Sequence, residues 1–141
     1  MMEKRHYKWA TVLIAVVIAI TQLLPIVSAA EKSSVEPLYV GIISMAPKVE
    51  IDSTGRAKCS DIVRLKGGYS AAVTWKLQYL NGTTWNTKMT WTASGKSVIN
   101  LDKGYIIASK GKYRLYATYV VYNSSGSVVE TPARASVSVE Y

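Results

Sequence analysis

The chain has 141 residues, a length that suits one domain, and its formal net charge is +8 from 17 Lys and Arg against 9 Asp and Glu. Its only histidine is His6 and its only cysteine is Cys59. These counts exclude an intrachain disulfide and leave the chain after residue 6 without the imidazole that Ser-His catalysis, Cys-His catalysis and most zinc sites require.

Residues 1–30 have the pattern of a signal peptide, which we expect to be helical before cleavage. A basic segment at 3–8 precedes an apolar run, and small residues stand at 28–30. The pattern predicts cleavage after Ala30, and cleavage after Ala29 also satisfies the small-residue rule. The alternative is an uncleaved anchor, since the apolar run approaches the ~20 residues that span a bilayer. Pro25 and the small-residue end favour cleavage.

The signal pattern predicts a secreted, extracellular protein that meets a membrane only through this segment before cleavage. Residues 31–37 are a polar lead-in, and residues 38–141 are the predicted folded domain. Within that domain apolar and polar residues alternate with a period of two, which indicates strands with one buried face. The first segment is interpreted as one or two strands broken near Pro47, with these residues on the apolar face: Tyr39, Ile43, Met45, Val49 and Ile51.

The next predicted strand, at 57–65, carries an acid on its apolar face. Asp61 shares that face with Ala57, Cys59, Val63 and Leu65. Because a carboxylate is costly to bury, either a β-bulge resets the phase of the strand or Asp61 lies at the rim of the core. We expect Cys59 to be buried and inert.

Five further strands are predicted in the rest of the chain, at 71–79, 84–92, 98–101, 112–122 and 133–141. Turn-forming residues separate them, among them Asn81-Gly82, Ser94-Gly95-Lys96 and Asp102-Lys103-Gly104. Seven to eight short strands with regular turns predict an all-β fold of antiparallel strands, either a sandwich or a small barrel.

Three of these segments resemble an immunoglobulin-like β-sandwich. Cys59 stands where such domains place the core cysteine of their second strand, and Trp75 resembles the core tryptophan of their third strand. Tyr113, in Gly111-Lys112-Tyr113, resembles the tyrosine corner before their sixth strand. Leu115 falls where the second cysteine would stand, so the resemblance implies an apolar cluster of Cys59, Leu115 and Trp75 in place of the disulfide.

The order of these motifs is also similar to that of small secreted β-sandwich proteins of unknown function from Gram-positive bacteria. Trp85, Trp91 and the Val-x-Val-x-Tyr end of the chain carry this resemblance together with Gly55 and Tyr113. It implies no activity that can be transferred.

The sequence favours a protein that is not an enzyme and that needs no cofactor. No glycine-rich nucleotide motif is present, so the sequence contains no recognisable loop that would bind the phosphates of a nucleotide. Glu50 and Asp52 share a strand face that we interpret as solvated, and single acids in turns fall short of a calcium site. The basic residues are scattered, which argues against a nucleic-acid surface.

The hairpin after Leu80 leaves the orientation of Trp85 open. A two-residue turn at Asn81-Gly82 pairs Gln78 with Trp85 and places the indole on the outer face. A three-residue loop pairs Tyr79 with Trp85 and places the indole in the core. The core register is favoured because each aromatic side chain carries ~150–250 Å² of surface.

If the outer register holds, four aromatic side chains form a strip that stacks on sugar rings or anchors a protein partner: Trp85, Trp91, Tyr116 and Tyr122. The leading hypothesis is a secreted, monomeric, non-enzymatic binding or adhesion domain that acts at or near the cell surface. Its partner is an unknown extracellular protein or glycan. The alternative is a carbohydrate-binding module that uses the aromatic strip. A membrane-active protein is the weakest hypothesis, because the predicted domain contains no amphipathic helix.

Overall fold

The structure is a computed structural model that describes residues 37–141. The predicted signal peptide at 1–30, its cleavage site at Ala30 and most of the lead-in at 31–37 lie outside the described residues. The described part of the chain is all-β, with every strand pair antiparallel, which confirms the predicted class. No helix in it is long and apolar enough to cross a membrane.

The described residues form ten strands: β1 (Ile42–Ser44), β2 (Lys48–Ile51), β3 (Arg56–Leu65), β4 (Ser70–Asn81), β5 (Thr84–Lys96), β6 (Val98–Ile106), β7 (Lys112–Tyr122), β8 (Val128–Glu130), β9 (Ala133–Ala135) and β10 (Val139–Glu140). In the first sheet β3 is central, with β1 and β2 along one edge and β6 along the other. In the second sheet β4 is paired with β5 and β7, and β8, β9 and β10 follow the far edge of β7.

The long strands β3, β4 and β7 bury alternate residues, as the period of two predicts. Their inward side chains join residues of β2 and β6 in one core. The largest side chains that are fully enclosed there belong to Trp75, Tyr113 and Tyr119. Burial of aromatic side chains removes more apolar area from water than burial of any other type, so these three contribute most to the hydrophobic stabilisation.

The first strands depart from the predicted phase. Ile43, expected on the buried face, is 62 % exposed, and its neighbour Ile42 is buried instead. The pairing with β3 shifts between Ile42 and Ser44, so an irregularity turns Ile43 outward. Pro47 lies between β1 and β2, which agrees with the predicted break.

The last predicted strand, at 133–141, is divided into β9 and β10. Ala117 is opposite Arg134, whereas Tyr113 is opposite Val139, so the outer strand holds one residue more than β7. Ser136 occupies the break: its amide donates to the carbonyl of Leu115, and its hydroxyl accepts from the amide of Leu115. The alternation predicted for this segment is therefore wrong at Ala133, Ala135 and Val137, which are all exposed.

Two predicted turns are wrong as well. Residues 94–96 continue β5, and residues 102–104 continue β6. The chain reverses at Ser97, whose φ of 63° is the one positive value outside glycine in the described part of the chain. Left-handed backbone is unfavourable for a residue with a Cβ, so Ser97 stores local strain.

A hydrogen bond and close ring packing fix the bend of the chain just before β7. The hydroxyl of Tyr113 donates to the carbonyl of Ser109 at 2.7 Å. The ring of Tyr113 lies 5.2 Å from that of Tyr79. Gly111 has a φ of 142°, and a Cβ there would lie 2.7 Å from the Tyr79 ring, so the close approach requires glycine.

Candidate functional site

Asp61 lies in the core, which corrects both sequence expectations for it. The side chain is 1 % exposed, so it is not at the rim. The pairing of β3 with β6 runs without a shift from Arg56 to Arg64, so no bulge resets the phase of the strand. Asp61 therefore occupies an inward position of a regular strand.

Three donors compensate for the burial of the Asp61 carboxylate. One oxygen accepts from the indole of Trp75 at 2.8 Å and from the hydroxyl of Tyr119 at 2.7 Å. The other accepts from the amide of Ala46 at 2.9 Å. Burial raises the pKa of Tyr119, and its hydrogen bond to Asp61 raises it further. The group is enclosed and satisfied, so it stabilises the interior and offers no acid to a substrate.

A β-bulge in β5 decides where the two candidate tryptophans lie. Leu77 is opposite Met89, but its neighbour Gln78 is opposite Thr87, which leaves Lys88 as the extra residue. The pairing of β4 with β5 on the turn side of Lys88 is therefore offset by one residue from the pairing on the other side. Both registers considered from the sequence are wrong: Asn81 is opposite Thr84, so the chain reverses at Gly82-Thr83 and not at the predicted Asn81-Gly82, and neither register contains the shift at Lys88.

The bulge places Trp85 and Trp91 on opposite faces of the second sheet. Trp85 is opposite Leu80, whose parity is that of the outward residues of β4. Trp91 is opposite the buried Trp75 and packs against the core. The favoured expectation that both indoles face the core is therefore wrong for Trp85. Trp91 does not share a face with the other candidates.

Trp85 forms the end of a stacked group on the outer face. The guanidinium carbon of Arg114 lies 4.2 Å from the centroid of the Trp85 ring and 5.2 Å from that of Tyr116. Both distances fall in the range of cation–π attraction. We call the three side chains of Trp85, Arg114 and Tyr116 the aromatic platform.

The aromatic platform is held in place by Gln78. The Nε of Arg114 donates to Oε1 of Gln78 at 2.9 Å, and the two residues are direct partners in the ladder between β4 and β7. Gln78 is buried although it points away from the core, and its partner on that face is the Arg114 side chain of the platform. An Arg that is fixed at its Nε and stacked on a ring loses little further freedom when it binds a ligand.

Polar side chains surround the aromatic platform. Lys76 is the ladder partner of both Tyr116 and Thr90. The next row along the sheet is Thr92, Thr74 and Thr118. A sheet face with ring surfaces, hydroxyls and cations provides both the stacking surface and the hydrogen-bond donors that a sugar or a polar protein surface requires.

Tyr122, the fourth candidate, shares the outer face but not the platform. It is the ladder partner of Ser70, at the opposite end of β7 from Arg114. At ~3.4 Å per residue it lies about 20 Å from Tyr116 along the strand. The structure thus brings together Trp85 and Tyr116, leaves Tyr122 apart and turns Trp91 inward.

Sequence reasoning missed Arg114, and it named Gln78 only as a partner of Trp85 in one register without assigning it a role in the site. The signal for Arg114 is its parity with Tyr116 on β7, which puts the two residues on one face. The signal for Gln78 is weaker, because its burial depends on which side chains lie above it.

Three further ionisable groups have pKa values that their local surroundings shift. Burial raises the pKa of the Cys59 thiol to about 12, so the thiol stays protonated and unreactive at neutral pH. A hydrogen bond from Lys48 and the charge of its ammonium lower the pKa of Glu50. Hydrogen bonds from the hydroxyl of Thr54 and the amide of Arg56 lower the pKa of Asp52, which caps the turn before β3. Across residues 37–141, no group of three or more His, Cys, Asp or Glu is arranged to hold a metal ion.

Comparison of the chain with protein-family models, with curated proteins and with solved structures gave no match. The site is therefore interpreted from its own geometry.

Proposed function

We propose that the protein is a secreted, non-enzymatic binding or adhesion domain that acts at or near the cell surface. The aromatic platform carries this proposal. It presents two rings and a fixed guanidinium on one open sheet face, and such residues supply most of the binding energy in protein interfaces. The signal pattern of residues 1–30 supports export of the chain.

The absence of enzymatic activity is part of the proposal. Glu50 is paired with Lys48, and Asp52 is occupied by the turn that it caps, so neither acid of this strand face is poised for proton transfer. Asp61 is enclosed by its three donors. The only imidazole of the chain belongs to His6, inside the proposed signal peptide.

We further propose that the two sheets form an immunoglobulin-like sandwich. The hydrogen bond from Tyr113 to the Ser109 carbonyl has the form of a tyrosine corner. Trp75, Cys59 and Leu115 belong to one core cluster, as expected where an apolar group replaces the inter-sheet disulfide. The resemblance to small secreted proteins of Gram-positive bacteria is in keeping with this arrangement.

The test of the binding function is retention of the purified mature protein on walled cells of the producing organism. We expect saturable sedimentation with the cells, and Trp85→Ala and Arg114→Ala each to raise the apparent Kd at least tenfold, ~1.4 kcal/mol. Ser94→Ala, on the same strand and face but further from the platform, opposite Ala72, is the matched control. Unchanged retention of both platform variants would refute a role for this face.

A second candidate function is carbohydrate binding, favoured by the stacked rings of Trp85 and Tyr116 beside the hydroxyls of Thr90 and Thr92. Planar rings stack on the apolar faces of sugars while hydroxyls and Lys76 bind their oxygens. Protease treatment of the cells should then leave retention intact, and periodate oxidation of their glycans should abolish it. The reverse result assigns the partner as a protein. A glycan array that gives no hit with the mature protein counts against the carbohydrate function.

A further inference from the structure

Three turns meet around a cleft at one end of the two sheets, away from the aromatic platform. They connect β3 to β4, β5 to β6 and β7 to β8, and each contributes to the wall of a cleft of about 390 Å³. The side chains that line it and can donate hydrogen bonds include Lys66, Lys96, Ser97 and Ser124. Among the described residues that line the cleft, none is Asp or Glu.

The backbone around the cleft is held in unusual conformations. Gly68, Ser97 and Gly126 have φ values of 86°, 63° and 80°. In the turn from β7 to β8 the amides of Ser125, Gly126 and Ser127 already donate to Asn123, so the donors that this turn offers to the cleft are side chains. A Cβ built on Gly68 or Gly126 would meet no atom within 4 Å, so the protein itself does not fill the space beside them.

The strain at Ser97 is notable because a glycine would avoid it. Its carbonyl accepts from the amide of Leu65 at 2.8 Å, which fixes the turn against β3. A serine in left-handed backbone costs stability, and such costs concentrate where a side chain serves a ligand. The hydroxyl of Ser97 is one of the donors that line the cleft.

The positive charges of Lys66 and Lys96 are not neutralised by a carboxylate of the described residues. The ammonium of Lys66 is held 2.9 Å from the carbonyls of Tyr39 and Val40, which are neutral and leave one N–H and the full charge available. Lys96 is exposed and is the ladder partner of Ser70 at the mouth of the cleft. Neither lysine forms an ion pair with a carboxylate of residues 37–141.

We propose that this cleft binds the phosphate group of a phosphate ester. A phosphate accepts hydrogen bonds from several directions, and here the hydroxyls of Ser97 and Ser124 and the ammonium groups of Lys66 and Lys96 line the cleft without a competing carboxylate. The cleft is larger than one ion, so room remains for the esterified group. The site is separate from the aromatic platform, so its test does not depend on the proposed binding function.

The test is an NMR titration of the ¹⁵N-labelled mature protein with glycerol phosphate at constant ionic strength. We expect saturable shifts of the amides of Gly68, Ser97 and Gly126. Lys96→Gln should weaken the binding about tenfold, because it removes a charge-assisted hydrogen bond. Lys88→Gln is the matched control: it removes the same charge from the same strand, about 25 Å away. A preserved amide spectrum shows that each variant is folded.

Parallel arms with inorganic phosphate and with phosphatidylglycerol vesicles distinguish free phosphate from a lipid headgroup. Sedimentation with these vesicles, but not with phosphatidylcholine vesicles or with the Lys96→Gln protein, assigns the source as a lipid. Saturation by inorganic phosphate without vesicle binding assigns a soluble source. Shifts that rise linearly without saturation, equal binding of the two variants, or equal saturation by sulfate would overturn the proposal.

Discussion

The carboxylate of Asp61 accepts a hydrogen bond from the indole of Trp75 at 2.8 Å, and this bond joins the two sheets through their interior. Asp61 belongs to β3 of the first sheet, and Trp75 belongs to β4 of the second. Tyr119 of β7 makes a second bond to the same carboxylate oxygen. With Cys59 as its only cysteine, the chain has no intrachain disulfide, and this buried polar group provides a directional link between the sheets within the core.

Replacement of Asp61 by Ala should strongly destabilise the fold. The change leaves three donors, on Trp75, Tyr119 and Ala46, without their acceptor in the core. Loss of one partner from a buried charged network costs about 3–5 kcal/mol. Urea denaturation of the mature protein measures the free energy of unfolding. Asp102→Ala, which removes an exposed acid from the first sheet, is the control and should change it by less than ~0.5 kcal/mol. A loss below ~1 kcal/mol for Asp61→Ala would contradict the network.

Replacement of Tyr113 by Phe tests the corner before β7. The ring stays in the core, but the Ser109 carbonyl loses its donor. The expected cost is about 1 kcal/mol, the usual net contribution of one hydrogen bond. Tyr122→Phe, which removes a hydroxyl from the outer face of the same strand, is the comparison. Equal stability of the wild type and Tyr113→Phe would show that the corner does not stabilise the fold.

Stability should fall at alkaline pH because of Cys59. Burial raises the pKa of its thiol to about 12 in the folded protein, against ~8.5 in the unfolded chain. Above pH ~8.5 the unfolded chain loses the proton while the folded protein keeps it, so the free energy of unfolding falls by ~1.4 kcal/mol per pH unit up to the folded-state pKa. Urea titrations between pH 7.5 and 10 measure the slope. Cys59→Ala should lack this component, and parallel slopes for the two proteins would refute it.

The two tryptophans of β5 should respond differently to truncation. Trp91 packs against the core, so Trp91→Ala should cost about 2 kcal/mol, roughly half the value for a fully enclosed ring. Trp85 stacks on Arg114 at the outer face, so Trp85→Ala should cost less than ~1 kcal/mol. Thermal unfolding of the two variants gives the comparison. A larger loss for Trp85→Ala would mean that the faces are assigned the wrong way round.

The sequence predicted the parts of the fold that depend on alternation. The buried faces of β3, β4 and β7 follow from the period of two, because each strand is long and regular. Burial of Cys59 and Trp75 was predicted on the same grounds. The burial of Asp61 was missed because its cost is offset by donors on distant strands, which alternation does not reveal.

The candidate site was predicted only in part, because it depends on one inserted residue. The turn at Gly82-Thr83 places Trp85 opposite the outward Leu80, and the extra residue Lys88 then places Trp91 opposite the inward Trp75. Nothing in the local sequence distinguishes a bulge at Lys88 from a regular pair, since threonine and lysine suit either arrangement. Ser136 divides the last strand in the same manner. Single-residue irregularities change the face of every side chain beyond them.

The register of β4 against β5 decides both the core and the aromatic platform, and cross-strand NOEs between backbone protons measure it directly. The structure predicts that Trp75 is opposite Trp91 and that Leu80 is opposite Trp85. Cross-peaks that instead place Trp75 opposite Met89 would contradict the bulge and, with it, the outward platform.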